Sequence, residues 1–228
     1  MTDRLLALLG DADSGLELVR RICELCVTEL AVSGAGMSVM TGSLTDGTQN
    51  LVHSTGGVGK HLEDLQLTVG EGPSVDAFVS GGAVLVPDLD AEHGRWPAYA
   101  PGAAGLGVAA VFSFPLQVGA ARLGVLDLYR TTAGSLSAPR LSGALTLAEA
   151  GTVALLDDAD AAQGARLLGQ GESHSVVHQA TGIVTVQLGV SLQEAFIRIR
   201  AYAYAHHLSL NEVGGRIVRR ELVLETGE

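Results

Sequence analysis

Two apolar runs constrain this chain most: VAAVFSFPLQV, residues 108–118, and RLGVLDLYR, residues 122–130. Each is rich in Val, Leu and aromatic residues, and only a short Gly-Ala turn separates them. Strand-like runs joined so closely form a hairpin, because a parallel pair needs a crossover of a dozen or more residues. A second hairpin is signalled by Asp46-Gly47, which sits between two short runs and suits a turn whose central residues take positive φ. The sheet is therefore expected to be antiparallel.

Helical patterns surround these strands. Leu16, Val19, Ile22, Cys23, Cys26, Val27 and Leu30 recur at helical spacing over about 14–31. GKHLEDLQLTVGEGPSVDAFVSGG reads as a helix, a glycine-bounded loop and a second helix opened by Pro73. AVLVPDL is a short strand stopped by Pro87, and AEHGRWPAYAPGAAGLG a loop or broken helix interrupted by Pro97 and Pro101. An alanine-rich helix, capped by Ser137, runs from about 137 towards 168, and GQGESH (169–174) is a linker. Helices and antiparallel strands in this order give an α+β fold.

The last part, from about 172 to 224, is a three-helix module. Its first helix spans about Ser175 to Leu188, with Gly189 at the helix-ending position. Ser191 with Glu194, and Ser209 with Glu212, have the spacing of capping boxes that open the second and third helices. Leu192, Ala195, Phe196, Ile199 and Tyr202 form an apolar stripe, while Arg200, Tyr204 and His207 share another face with Gln193. In the first helix His174, His178, Thr181 and Thr185 fall on a polar stripe. About fifty residues bury only a modest core, so the module is expected to lean on the preceding helix or on a second copy of itself.

Charge narrows the function. The chain carries a net −11, from nine basic and nineteen acidic side chains before residue 172 and five and six from residue 172 on. The first part is unsuited to a polyanion, and a nucleic-acid site is confined to a local patch on the second. No apolar run reaches the roughly 18 residues of a membrane helix, and the N-terminus shows no cleavage-site pattern. A cytoplasmic protein with no membrane partner is expected. Cys23 and Cys26 read either as a redox pair or as small buried hydrophobes on a helix face. His53, His61 and His93 read as surface residues rather than haem or metal ligands. With no Ser-His-Asp grouping, phosphate loop or metal-ligand spacing, no catalytic residue, metal or cofactor is expected.

The motifs LTVGEGPSVDAFVSGGAVLVPDL, RWPAYAP and VFSFPLQV…RLGVLDLYR, in that order, resemble a GAF domain over 14–157, leaving 1–13 as an N-terminal extension. The resemblance implies a small antiparallel sheet with helices on one face and, on the other, a pocket roofed by loops and short helices. Phe78, Trp96, Tyr99, Phe112 and Phe114 are the candidates either to line such a pocket or to fill it. The cysteine of bilin-binding relatives and the Asn-Lys-Phe set of cyclic-nucleotide binders have no counterpart here. Methionine-sulfoxide-reducing relatives carry cysteines on the pocket loops, whereas Cys23 and Cys26 lie in the first helix.

QATGIVTVQLGVSLQEAFIRIRAYAYAHHLSLNEVGGRIV is similar to an ANTAR domain, the RNA-binding module of transcription antiterminators, covering 172–224. GAF followed by ANTAR is a pairing of actinobacterial regulators. The resemblance implies a homodimeric, signal-responsive regulator that binds paired hairpins in nascent transcripts through Ala180, Thr181, Gly182, Arg200 and Tyr202. Thr181 stands where many such domains have lysine, a departure that favours a rival reading as a protein-interaction module without RNA binding. A redox enzyme using Cys23 and Cys26 is the further rival.

Overall fold

The structure, a computed structural model, describes residues 2–10, 14–40, 49–160 and 175–225. In chain order the elements are α1 (Thr2–Leu9), α2 (Gly15–Leu30), β1 (Gly34–Met40), β2 (Gln49–Ser54), α3 (Gly56–Val69) and α4 (Pro73–Ser80). There follow β3 (Val84–Val86), a 3-10 turn at Leu89–Glu92, α5 (Tyr99–Gly105), β4 (Ala110–Val118), β5 (Ala121–Arg130) and α6 (Ala138–Asp160). The C-terminal module comprises α7 (Ser175–Leu188), α8 (Leu192–Ala205) and α9 (Leu210–Val218).

The strands form one antiparallel sheet in the order β2-β1-β5-β4-β3, so both expected hairpins are present. The Asp46-Gly47 turn lies outside the described residues, as do the last part of the long helix, the linker and His174. At the sheet centre β1 and β5 approach closely at Gly124, where a Cβ would stand 2.0 Å from the Ser38 carbonyl oxygen.

Alternation along the strands sorts side chains onto two faces. Met37, Phe112, Phe114, Leu116, Leu126 and Leu128 pack under α2 and α6, together with Cys23 and Cys26. Residues 2–9, for which no element is expected, form α1 and bury Leu5 and Leu9 in this same layer. Val111, Val125 and Tyr129 point the other way, towards α3, α4 and α5. Pro101 is accommodated in α5 because it falls in the first turn, where no intrahelical N–H is needed. The result is α+β: a sheet with α1, α2 and α6 on one face and α3, α4 and α5 on the other.

The module has its own core of Val177, Ala180, Val184, Ala195, Phe196, Ile199, Val213 and Ile217. Gly189 takes φ 67 after α7 and ends it as expected. The two serine caps differ. Ser209 and Glu212 make the full reciprocal box. Ser191 accepts from the Glu194 N–H, but the Glu194 carboxylate turns to Arg198 at 2.7 Å instead of back to the cap. Among the described residues no single helix is long and apolar enough to cross a membrane.

Candidate functional site

The N-terminal domain holds a polar chamber between the sheet and α3–α5. Strand alternation directs Ser38, Ser113 and Asp127 to this face, and Ser113 and Asp127 are opposite one another in the β4–β5 register. Glu63 and Gln66 enter from α3 one turn apart, Gln49 from β2, Ser74 from the first turn of α4 and Tyr99 from α5. Glu71 fixes that last helix: its carboxylate accepts the N–H groups of Ala98 and Tyr99 at 2.7 and 3.0 Å.

These side chains are wired together. Glu63 Oε1 accepts from the Ser38 hydroxyl and, at 2.7 Å, from Gln49 Nε2. Asp127 accepts from the hydroxyls of Ser113 and Ser74, the latter at 2.7 Å. Ser74 in turn accepts from Gln66 Nε2 at 2.6 Å and gives its backbone N–H to Gln66 Oε1 at 2.9 Å. The Tyr99 hydroxyl is fully buried and has no hydrogen-bond partner. Burial pushes the Glu63 carboxyl up to about 8; the Asp127 charge adds to the shift, and the bonds from Ser38 and Gln49 oppose it. Desolvation raises Asp127 to about 6, against the bonds from Ser113 and Ser74. Tyr99 is held well above the usual phenol range by burial, with Asp127 and Glu63 contributing. The cavity these groups enclose is about 20 Å³, lined also by Gly36, Gly59, Leu51, Leu62, Val111, Leu128 and Tyr129.

The expected cluster of five aromatic rings is divided by the sheet. Phe78, Trp96 and Tyr99 lie on the chamber side, whereas Phe112 and Phe114 pack beneath α2 and α6. The cause is the two-residue period of β4: Val111 and Ser113 take the chamber face, so the phenylalanines take the other. Trp96 and Tyr99 meet edge to face with centroids 6.2 Å apart and fill the layer under α5. The two cysteines are also interior. Burial raises Cys23 to about 12 and Cys26 well above the usual thiol range, which suppresses thiolate chemistry. His61 and His93 are exposed and His53 is half-buried; among the described residues no group of three or more His, Cys, Asp or Glu is placed to hold a metal.

The second region is where the module meets α3. Leu67 of α3 is buried as a member of the module's core. Three residues on, Gly70 ends α3 in the left-handed region, φ 74. A Cβ there would stand 2.4 Å from Nη1 of Arg200, so the guanidinium lies directly on the glycine. The same guanidinium sits 4.7 Å over the Phe196 ring, and burial lowers its pKa. The end of α3 carries unpaired carbonyls and the negative pole of the helix, an environment suited to a cation. Beside this seat a cleft of about 470 Å³ runs between the domain and the module, with His61, Asp64 and Leu65 on one wall and Tyr204, His207 and Leu208 on the other.

Family comparison decides the identity of both regions. Residues 16–156 match the GAF domain model, and residues 165–218 match the ANTAR domain model. The chain belongs to the GAF domain family and carries an ANTAR domain behind it. No curated protein matches it. Solved structures of similar fold include the GAF domain of an Acinetobacter phosphoenolpyruvate-protein phosphotransferase, 13% identical with TM-score 0.55, covering 70% of this chain and 93% of that one. The corresponding domain from Coxiella burnetii is 14% identical with TM-score 0.53, covering 69% and 91%. A domain of a putative sensor histidine kinase from Sinorhizobium meliloti is 16% identical with TM-score 0.51, covering 65% and 93%. At such identities the likeness is one of fold.

The ANTAR domain distributes the five RNA-contact candidates over three environments. Ala180 and Thr181 are inside the core; Thr181 is 7% exposed, and its hydroxyl bonds the Val177 carbonyl at 2.8 Å. The expected polar stripe on α7 is thus broken at Thr181, because the buried threonine satisfies its hydroxyl within the helix. Gly182 lines an open groove with Ile183, Val186, Ile217, Arg220 and Val223. Tyr202 stacks on His206, centroids 3.9 Å apart, in a neighbouring groove shared with Arg198 and Val223. Arg200 is turned to the GAF domain. Gly182 and Tyr202 therefore flank one surface, joined by Val223, and Arg200 belongs to another.

Sequence motifs do not single out Arg198 and Arg220, which the fold brings beside Tyr202 and Gly182. The chamber was legible in principle. An aspartate in the apolar strand GVLDLYR, opposite a serine between two phenylalanines, marks polar groups on an interior face.

Proposed function

We propose that this protein is a signal-responsive RNA-binding regulator of transcription antitermination. Its GAF domain senses a small-molecule or protein signal, and its ANTAR domain, in a homodimer, binds paired hairpins in nascent RNA. The sensor–ANTAR arrangement fits such regulators in general. One observation carries the finer reading: the arginine that resemblance assigns to RNA lies on the end of α3. The same helix also contributes Leu67 to the ANTAR core. Sensor and RNA module thus share a helix, and Arg200 has two alternative engagements, with α3 or with a phosphate or base edge. A signal that favours one arrangement shifts the population towards it.

The rival interaction-module reading drew its support from Thr181 in place of lysine. That side chain faces the core here, so its identity does not bear on an exposed contact. The test is RNA binding by the purified chain, with two-hairpin RNA against single-hairpin controls over a salt series. Binding selective for the paired hairpins, weakened by salt and lost in Arg200→Ala, is expected. Equal affinity for both RNAs, or none at any salt, contradicts the reading.

A further inference from the structure

The polar chamber of the GAF domain has an uneven chemistry. Glu63 and Asp127 approach it from α3 and β5, and Tyr99 enters from α5. Among the described residues, no lysine, arginine or histidine lines it. Its other polar members, Ser38, Gln49, Gln66, Ser74 and Ser113, are neutral and spend their donors on the two carboxyls or on one another. Both bonds to Glu63 fall on Oε1. Asp127 lines the cavity and keeps part of its surface accessible. The Tyr99 hydroxyl, fully buried, is without a partner. A buried polar network left incomplete is costly, and this one lacks a positive group.

We propose that the chamber is a binding site for the ammonium head of a small aliphatic amine. An ammonium group brings three donors, and Glu63, Asp127 and Tyr99 offer acceptors from three directions. The cavity of about 20 Å³ has room for one water-sized group, which suits –NH₃⁺ and excludes a guanidinium or an aromatic cation. Leu51, Leu62 and Val111 supply the apolar wall beside that group, so the carbon end of the amine has to lead out of the cavity. A divalent metal fits poorly, since each carboxylate already accepts two hydrogen bonds and a metal demands a fuller oxygen shell. Glu63 and Gln66 share α3 with Leu67 and Gly70, so the charge in the chamber and the seat of the ANTAR domain are carried by one helix.

This inference rests on the sensor reading of the GAF domain, but its test does not use RNA. The full chain is titrated with methylammonium chloride, against methanol as the neutral control and sodium chloride as the ionic one. Calorimetry and the shift in melting temperature are the readouts. Methylammonium alone is expected to bind and to raise the melting temperature. Its affinity should grow as pH rises from 6 to 9, because the carboxyls ionise over that range. Tyr99→Phe, which deletes only the orphan hydroxyl, should weaken binding several-fold, and Glu63→Gln combined with Asp127→Asn should abolish it. The proposal is overturned if methanol is as effective, if the carboxamide double variant binds as well as the wild type, or if the folded wild type shows no response at pH 9. Selective RNA binding without an amine response would leave the antitermination reading standing and remove this one; the converse would do the reverse.

Discussion

At the scale of single residues, the main tension is a carboxyl group buried among neutral partners. Glu63 titrates at about 8 in the fold against 4.5 in an unfolded chain. The folded protein holds that proton where the unfolded chain has released it, so stability is fullest below about 4.5 and falls as pH rises through 8. The expected slope is about 1 kcal/mol per pH unit within that window. Urea denaturation from pH 6 to 8, above the range in which Asp127 contributes, should show it, and Glu63→Gln should flatten it; a wild-type stability that rises with pH over this range would contradict the burial argument. Thr181 gives a second residue-scale outcome. Thr181→Lys places an ammonium in the module's core and should cost more than ~2 kcal/mol, with no gain in RNA affinity. A stable variant with tighter RNA binding would mean that position 181 faces the RNA. Neither position announces itself in sequence. Helical spacing assigns Thr181 to a polar stripe because periodicity counts the hydroxyl as polar and does not see it satisfied by the Val177 carbonyl.

At the scale of elements, much of the fold was legible. The β4–β5 hairpin, the glycine-bounded loop before the Pro73 helix start and the glycine stop at 189 have local physical causes and fall where those causes put them. Facing was less legible. The rings of VFSFPL were grouped by chemistry, while the strand period sends Phe112 and Phe114 to the α2–α6 layer. The docking of α3 on the ANTAR domain was not legible at all, because Leu67 and Gly70 look like an ordinary helix end until the module is placed on them. The caps of α8 and α9 offer a graded test. Ser209→Ala removes one half of a closed reciprocal box and should cost about 1–2 kcal/mol, whereas Ser191→Ala loses a single bond and should cost about 0.5–1 kcal/mol. Chemical denaturation of the two variants compares them directly; equal losses would mean that the second bond of the Ser209 hydroxyl, donated to the Glu212 carboxylate, contributes nothing.

At the scale of the whole molecule, an acidic GAF domain and a nearly neutral ANTAR domain are packed through one helix. Arg198 and Arg220 stand on the open grooves with Tyr202 and Gly182, while Arg200 is held against Gly70. On the proposed reading, the candidate RNA contacts on the open grooves stand apart from Arg200, which its docking on α3 restrains. Leu67→Ala tests that division most directly, since it thins the contact between α3 and the module and leaves every arginine in place. The measurement is affinity for two-hairpin RNA at fixed salt, wild type against Leu67→Ala, with circular dichroism to establish that the helices persist. Weaker docking should free Arg200 and raise affinity by roughly the tenfold that ~1.4 kcal/mol represents. An unchanged or lower affinity in a folded variant would show that the contact with α3 does not restrain RNA binding.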